Sequence, residues 1–166
     1  MAIEFVVSVE PIPQPRVKAR RIGARGIQIY TPQNASIRAY KAAIAQSAME
    51  AAPHIKEPVE GPLEVFLEFF MERPSTRMGE GEFHAIRPDI DNLVKAVLDS
   101  LNGLFWKDDG QIVDLIVRKR WAKTFLGGVS GRKKLSSPGY IFIRIARPEG
   151  IEQLDESFDN SLIPLI

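Results

Sequence analysis

The sequence predicts an α+β fold, a single domain with one mixed β-sheet and two main helices. Three observations carry this prediction. Ile3–Val9 and Leu63–Met71 alternate apolar residues with the two-residue period of strands that bury one face. Ser36–Ala51 and Asp91–Asn102 repeat theirs at the spacing of amphipathic helices. Such segments are interleaved along 166 residues, a length that suits one domain with one core.

Each element follows in chain order. Ile3–Val9 sets Phe5, Val7 and Val9 on one face and reads as the first strand. Pro11, Pro13 and Pro15 then remove three backbone donors, so regular pairing stops. Arg16–Arg25 is basic and contains Gly23; it reads as a mobile loop, followed by a short strand at Gln28–Tyr30. Ser36–Ala51 places Ile37, Tyr40, Ile44 and Ala48 on one helical face, and Pro53 closes it. Leu63–Met71 turns Leu63, Val65, Leu67 and Phe69 one way and Glu64, Phe66, Glu68 and Phe70 the other. Glu72–Ile86 is polar and reads as a loop. Asp91–Asn102 turns Leu93, Val97 and Leu101 inward, and Asn102-Gly103 is a helix stop. Asp108-Asp109-Gly110 is a turn, Gln111–Trp121 a strand, the stretch to Pro138 a loop, and Tyr140–Ala146 the last strand. The predicted order is β, β, α, β, α, β, β. Residues 1–147 form the domain, and residues 148–166 an acidic C-terminal tail.

Composition narrows the function classes. There is no cysteine, which excludes disulfides and thiolate metal sites, and two histidines, His54 and His84, are too few for a histidine-rich zinc site. No apolar run approaches the roughly 18–20 residues of a membrane helix. The first residues carry an early acid, Glu4, and no basic lead, unlike a signal peptide. A cytoplasmic location is expected.

The net charge of +1 hides an asymmetry. Glu149, Glu152, Asp155, Glu156 and Asp159 lie in a C-terminal stretch without a base; setting them aside leaves 22 bases against 16 acids. The bases also cluster, as Arg16, Lys18, Arg20, Arg21 and Arg25, and again from Arg118 to Lys134. Such patches suit a polyanion whose phosphates they neutralise; solvated loops are the plainer alternative.

The chemistry-bearing segment is Arg87–Asp99. Asp89 and Asp91 lie two apart across a helix start that Pro88 helps to fix. Lys95 is one turn beyond Asp91, and Asp99 one turn beyond Lys95, on a stripe away from Leu93, Val97 and Leu101. The Asp108-Asp109 turn follows, and the next strand can return it to the helix start. Phosphodiester hydrolysis attacks an anionic centre while charge builds on oxygen. Convergent carboxylates hold magnesium, a hard cation that keeps its waters, and a nearby lysine stabilises the transition state. Alone, each feature has a plain reading: a helix cap, a solvated ion pair, a turn.

The segment Pro88-Asp89-Ile90-Asp91-Asn92, with Lys95 and Asp99, followed by Leu104–Val113, resembles the RusA family of Holliday junction resolvases. Pro11–Arg16 and Tyr30-Thr31-Pro32 resemble its pattern too, and the likeness spans residues 5–146. The resemblance implies that Asp89, Asp91 and Asp109 bind the divalent metal, magnesium or manganese, and that Lys95 is the catalytic lysine. It implies a homodimer acting on branched DNA, a four-way junction, and products with 5′-phosphate and 3′-hydroxyl ends. Arg16, Lys18, Arg20, Arg21 and Lys119 are the expected DNA contacts. Asp99 is divided between support and a surface pair with Lys95. Asp108 is favoured as the turn-former, and His84 reads as structural or incidental. Phe105 and Trp106 read as core or dimer-interface aromatics. A related nuclease acting on other branched DNA, or a non-catalytic DNA-binding protein, is the alternative.

Overall fold

A computed structural model describes residues 2–23, 26–30, 34–78, 81–127 and 133–148. The strands are β1 (Ala2–Val7), β2 (Lys18–Ile22), β3 (Gly26–Tyr30), β4 (Leu63–Met71), β5 (Ile112–Trp121), β6 (Thr124–Gly127), β7 (Lys133–Ser136) and β8 (Tyr140–Ala146). The helices are α1 (Ala35–Ala51) and α2 (Ile90–Leu101). The fold is α+β. Four strands form the main sheet in the order β1-β8-β4-β5, mixed because β4 and β5 run parallel and the other pairs antiparallel.

Parallel neighbours need a crossover, and α2 lies within it. The inward residues of β1, β4 and β8 form one core with the buried faces of both helices. On α1 that face is Ile37, Tyr40, Ile44 and Ala48, and Asn34 caps the helix by accepting from Ile37 N–H at 3.0 Å. On α2 it is Leu93, Ala96, Val97 and Leu101. Among the described residues no helix is long and apolar enough to cross a membrane.

Two expected loops are corrected. Within the basic stretch, Lys18–Ile22 is strand β2, paired antiparallel with β3, and the turn begins at Gly23 with φ of +62°. Every β2 residue is exposed, so there is no buried side and no alternation to read. In the glycine- and lysine-rich stretch, β6 and β7 pair as a second small hairpin. The acidic tail from Glu149, and Arg25 and Arg132 of the basic clusters, lie outside the described residues.

Candidate active site

Asp89 occupies the N-cap position of α2 with extended backbone, yet its side chain makes no capping bond. Its carboxylate accepts from the Arg16 guanidinium at 2.7 Å and is 46% exposed. A plain cap therefore does not account for this acid. Arg16 arrives there because Gln14 N–H donates to Asn92 O at 2.8 Å, which docks the proline stretch on the first turn of α2. Asp91 lies in that turn and is exposed; Asn92 Nδ2 donates to it at 3.3 Å.

Lys119 closes the helix start from the sheet. It pairs with Phe69 across β5 and β4, on the side facing the core. Its Nζ donates to the carbonyls of Ile86 at 2.7 Å and Pro88 at 2.6 Å, tying down the segment that ends at Asp89. Burial holds its pKa below the ordinary lysine value, and the Asp89 charge opposes that shift. Asp89, Asp91, Lys119, Arg87 and His84 line one open cleft of about 870 Å³. Arg87 also lines the neighbouring cleft beside Arg16. The sequence reading gave Arg87 no role, although it directly precedes Pro88-Asp89. His84 is only 5% exposed, its ring lies 4.2 Å from that of Trp121, and its Nδ1 has no hydrogen-bond partner among the described residues. Burial first, then the Lys119 charge, lowers its pKa.

The flank of α2 carries the rest. Lys95 Nζ donates to Asp99 Oδ1 at 2.9 Å, and Lys41 of α1 donates to Asp99 Oδ2 at 3.3 Å. Asp99 thus holds Lys95 while being held from the other helix, the supporting arrangement rather than a lone surface pair. The hydrogen bond that Lys95 donates to Asp99, then the charges of Asp99 and Asp109, raise the Lys95 pKa. Asp109 accepts at Oδ1 from the indole N–H of the fully buried Trp106, at 2.8 Å. Asp108 is the turn-former: it accepts from Gly110 N–H at 2.7 Å in a capping box with Gln111. Ile90, Val94, Leu98, Leu115 and Val117 form an apolar groove whose edge carries Asp91, Lys95 and Asp109.

One expectation, the convergence of three acids, changes with this geometry. It is Lys119, near the far end of β5, that lies against the residues before α2. The Asp109 turn opens β5, lies where its charge is felt by Lys95, and shares a groove with Ile90 and Asp91 of the first turn of α2. Even so, among the described residues no three acids or histidines converge closely enough to hold a metal ion. The acids form two pairs sharing Asp91: with Asp89 on the cleft, and with Asp109 on the groove. Pairs of carboxylates suit magnesium, which takes one or two from protein and fills its shell with water and phosphate. Of the two readings of Phe105 and Trp106, core or dimer interface, the structure bears out the core: they are 3% and 0% exposed.

The basic hairpin exposes Lys18, Arg20 and Arg21, with Arg20 Nε donating to Gln28 at 2.8 Å and its guanidinium 5.9 Å from the Tyr30 ring centre. In the second cluster, Arg120 is paired with Glu68 and Glu82, both at 2.6 Å, and Arg118 lies 5.2 Å over the Phe66 ring.

Residues 8–129 match the family model described as Endodeoxyribonuclease RusA. The chain is also 29% identical over 131 residues to an uncharacterized protein, YqaN, of Bacillus subtilis (strain 168), covering 73% of this chain and 89% of the relative.

Proposed function

The chain belongs to the RusA endodeoxyribonuclease family, and on that premise we propose that it is a magnesium-dependent, structure-selective endonuclease that resolves four-way DNA junctions by paired symmetric nicks. The observation that carries this reading is α2 itself. Its inner stripe is locked in the core, while Asp91 and Lys95 lie on the groove edge with Asp109, and Asp89 stands at its start.

Asp91, together with Asp89 or Asp109, would hold magnesium or manganese, which supplies an activated water and neutralises charge on the phosphate oxygens. The protein's own groups do the remaining work. Lys95, fixed by Asp99, offers positive charge where the transition state builds negative charge. Trp106 holds Asp109 through one oxygen. Lys119 fixes the approach to Asp89 through two carbonyls and positions the site rather than gripping phosphate. Arg16, beside Asp89, and Lys18, Arg20 and Arg21 on the hairpin receive phosphates flanking the cut, and counterion release drives their affinity. Two symmetric cuts need two sites, so the acting form is a homodimer.

The test is cleavage with magnesium of a labelled four-way junction beside fork, flap and linear duplex. Paired symmetric nicks in the junction, faster than in any other substrate, are expected. Preferred cleavage of the fork or flap would move the reading to another branched substrate. Binding without cleavage of any of them would reduce the protein to a DNA-binding module.

A further inference from the structure

We propose that the free edge of β5 is the dimer contact: two copies pair their β5 strands antiparallel about Ile116 and join two four-stranded sheets into one. The proposal rests on the reading of the acting form as a dimer and supplies the surface.

Strand β5 ends the main sheet, with β4 on its one paired side. Among the described residues its outer side is covered only near its far end, where His84 N–H donates to Lys119 O at 3.3 Å and Trp121 N–H to Glu82 O at 2.8 Å. Those two bonds also fix which backbone groups face outward. Direction alternates along a strand, so Leu115 and Val117 present their N–H and C=O to the open side as Lys119 and Trp121 do. Exposed edges are normally blunted by lysine, proline or an inward charge. The stretch from Val113 to Arg118 has only Asp114 and Arg118 as charges, and Val113, Leu115 and Ile116 are 63%, 40% and 49% exposed. The opposite edge, β1, carries Glu4 and runs towards the proline stretch.

The register follows from the same geometry. Outward-facing residues must meet outward-facing residues. Centring the two-fold axis on Ile116 pairs Leu115 with the partner's Val117 and sets Asp114 opposite the partner's Arg118, twice by symmetry. Centring on Leu115 leaves Asp114 opposite an isoleucine. Centring on Val117 sets Arg118 opposite an isoleucine and leaves only Ile116–Arg118 to pair before the Glu82–His84 cover begins at Lys119. Only the Ile116 register matches charge, over a ladder that runs from Asp114 to Arg118.

This pairing also explains the groove. Cross-strand partners share a face, so the partner's Leu115 and Val117 fall on the face that carries α2. They extend the lining made by Ile90, Val94, Leu98, Leu115 and Val117, beside Asp91, Lys95 and Asp109. An apolar groove is a poor receptor for phosphate but a good one for a second copy's aliphatic side chains. Both sites then lie on one face of the joined sheet, on either side of the axis, as two cuts in one junction require.

The chain has no cysteine, so Ile116→Cys introduces one thiol per copy. Across the axis it would meet itself in a non-hydrogen-bonded pair, with Cα atoms about 4.5 Å apart, inside disulfide range. Mild oxidation of the full-length variant is expected to give a covalent dimer on a non-reducing gel, whereas Val6→Cys on β1 gives none. Sedimentation of Asp114→Arg and of Arg118→Asp should each show self-association about tenfold weaker, and the two together should restore it to within about threefold. A dimer that neither crosslinks through position 116 nor responds to the charge variants would overturn the proposal and leave the dimer reading standing. A chain monomeric at micromolar concentrations would overturn both.

Discussion

Helix α2 buries Leu93, Ala96, Val97 and Leu101, whereas strand β2 buries nothing. The helix is mounted between the sheet and α1, and its polar side chains are held in turn: Lys95 by Asp99, Asp99 by Lys41, Asp89 by Arg16. The β2–β3 hairpin stands on its own ladder, and a lone two-stranded hairpin has little stability of its own. The contrast teaches a division of labour. Chemistry needs carboxylates and an ammonium within tenths of an ångström, so they sit on an element the core holds rigid. Affinity for a polyanion needs only charge density near phosphate, so an exposed ribbon suffices.

The comparison breaks or sharpens under substitution. The largest effects belong to α2 and its turn. Asp91→Asn, Asp109→Asn and Lys95→Ala should each lower the single-turnover cleavage rate about 10²–10³-fold. Removing an acid should leave junction affinity unchanged or raised, since a negative charge facing the phosphates is gone. Filter binding with the chelator EDTA measures that affinity apart from the rate.

Next comes Lys119, which separates positioning from phosphate contact. Lys119→Met keeps the stem but loses both carbonyl bonds, and should slow cleavage about tenfold at saturating enzyme with affinity little changed. A loss that appears instead in affinity and in its salt dependence would return Lys119 to the DNA surface.

The hairpin is expected to behave in the opposite way. Arg20→Ala with Arg21→Ala should weaken junction binding several-fold and flatten the plot of log affinity against log salt by about one to two units. The rate at saturation should stay put. An unchanged slope would mean that the hairpin is a solvated ribbon and the DNA lies elsewhere.

The smallest effect is thermodynamic. His84 takes up a proton less readily in the fold than its ordinary value of 6.5 implies, because of burial and the Lys119 charge. The unfolded chain therefore binds the proton first as pH falls, and stability drops from about that value through the folded one. His84→Phe should flatten the fall in the urea midpoint between about pH 7 and pH 5. An equally steep fall in the variant would assign the acid sensitivity to other groups.

How much of this was legible in the sequence follows the same division. α1, α2, β1, β4 and β8 were readable because burial imposes a period, and the acids and lysine of α2 were readable as the stripe left over. Strand β2 was not, because a strand with both sides in solvent has no period to impose. The indole bond from Trp106 to Asp109 and the hold of Lys119 on Ile86 and Pro88 were hidden as well. A buried tryptophan needs a partner for its N–H, which is a usable signal, but which acceptor it finds depends on the turn. The course of β5 beside α2 brings Lys119 to the carbonyls of Ile86 and Pro88 just before the helix. That is a matter of topology, and no local pattern records it.

The central claim is that rate and affinity reside on separate elements of this chain. It is tested most directly by measuring, on one labelled four-way junction, the dissociation constant with EDTA and the single-turnover rate with magnesium for Asp91→Asn and for the Arg20→Ala, Arg21→Ala pair. The account predicts that the first variant loses rate and keeps affinity, and that the second loses affinity and keeps rate. Near-normal cleavage by Asp91→Asn, or a hairpin variant that binds normally and fails to cut, would contradict it.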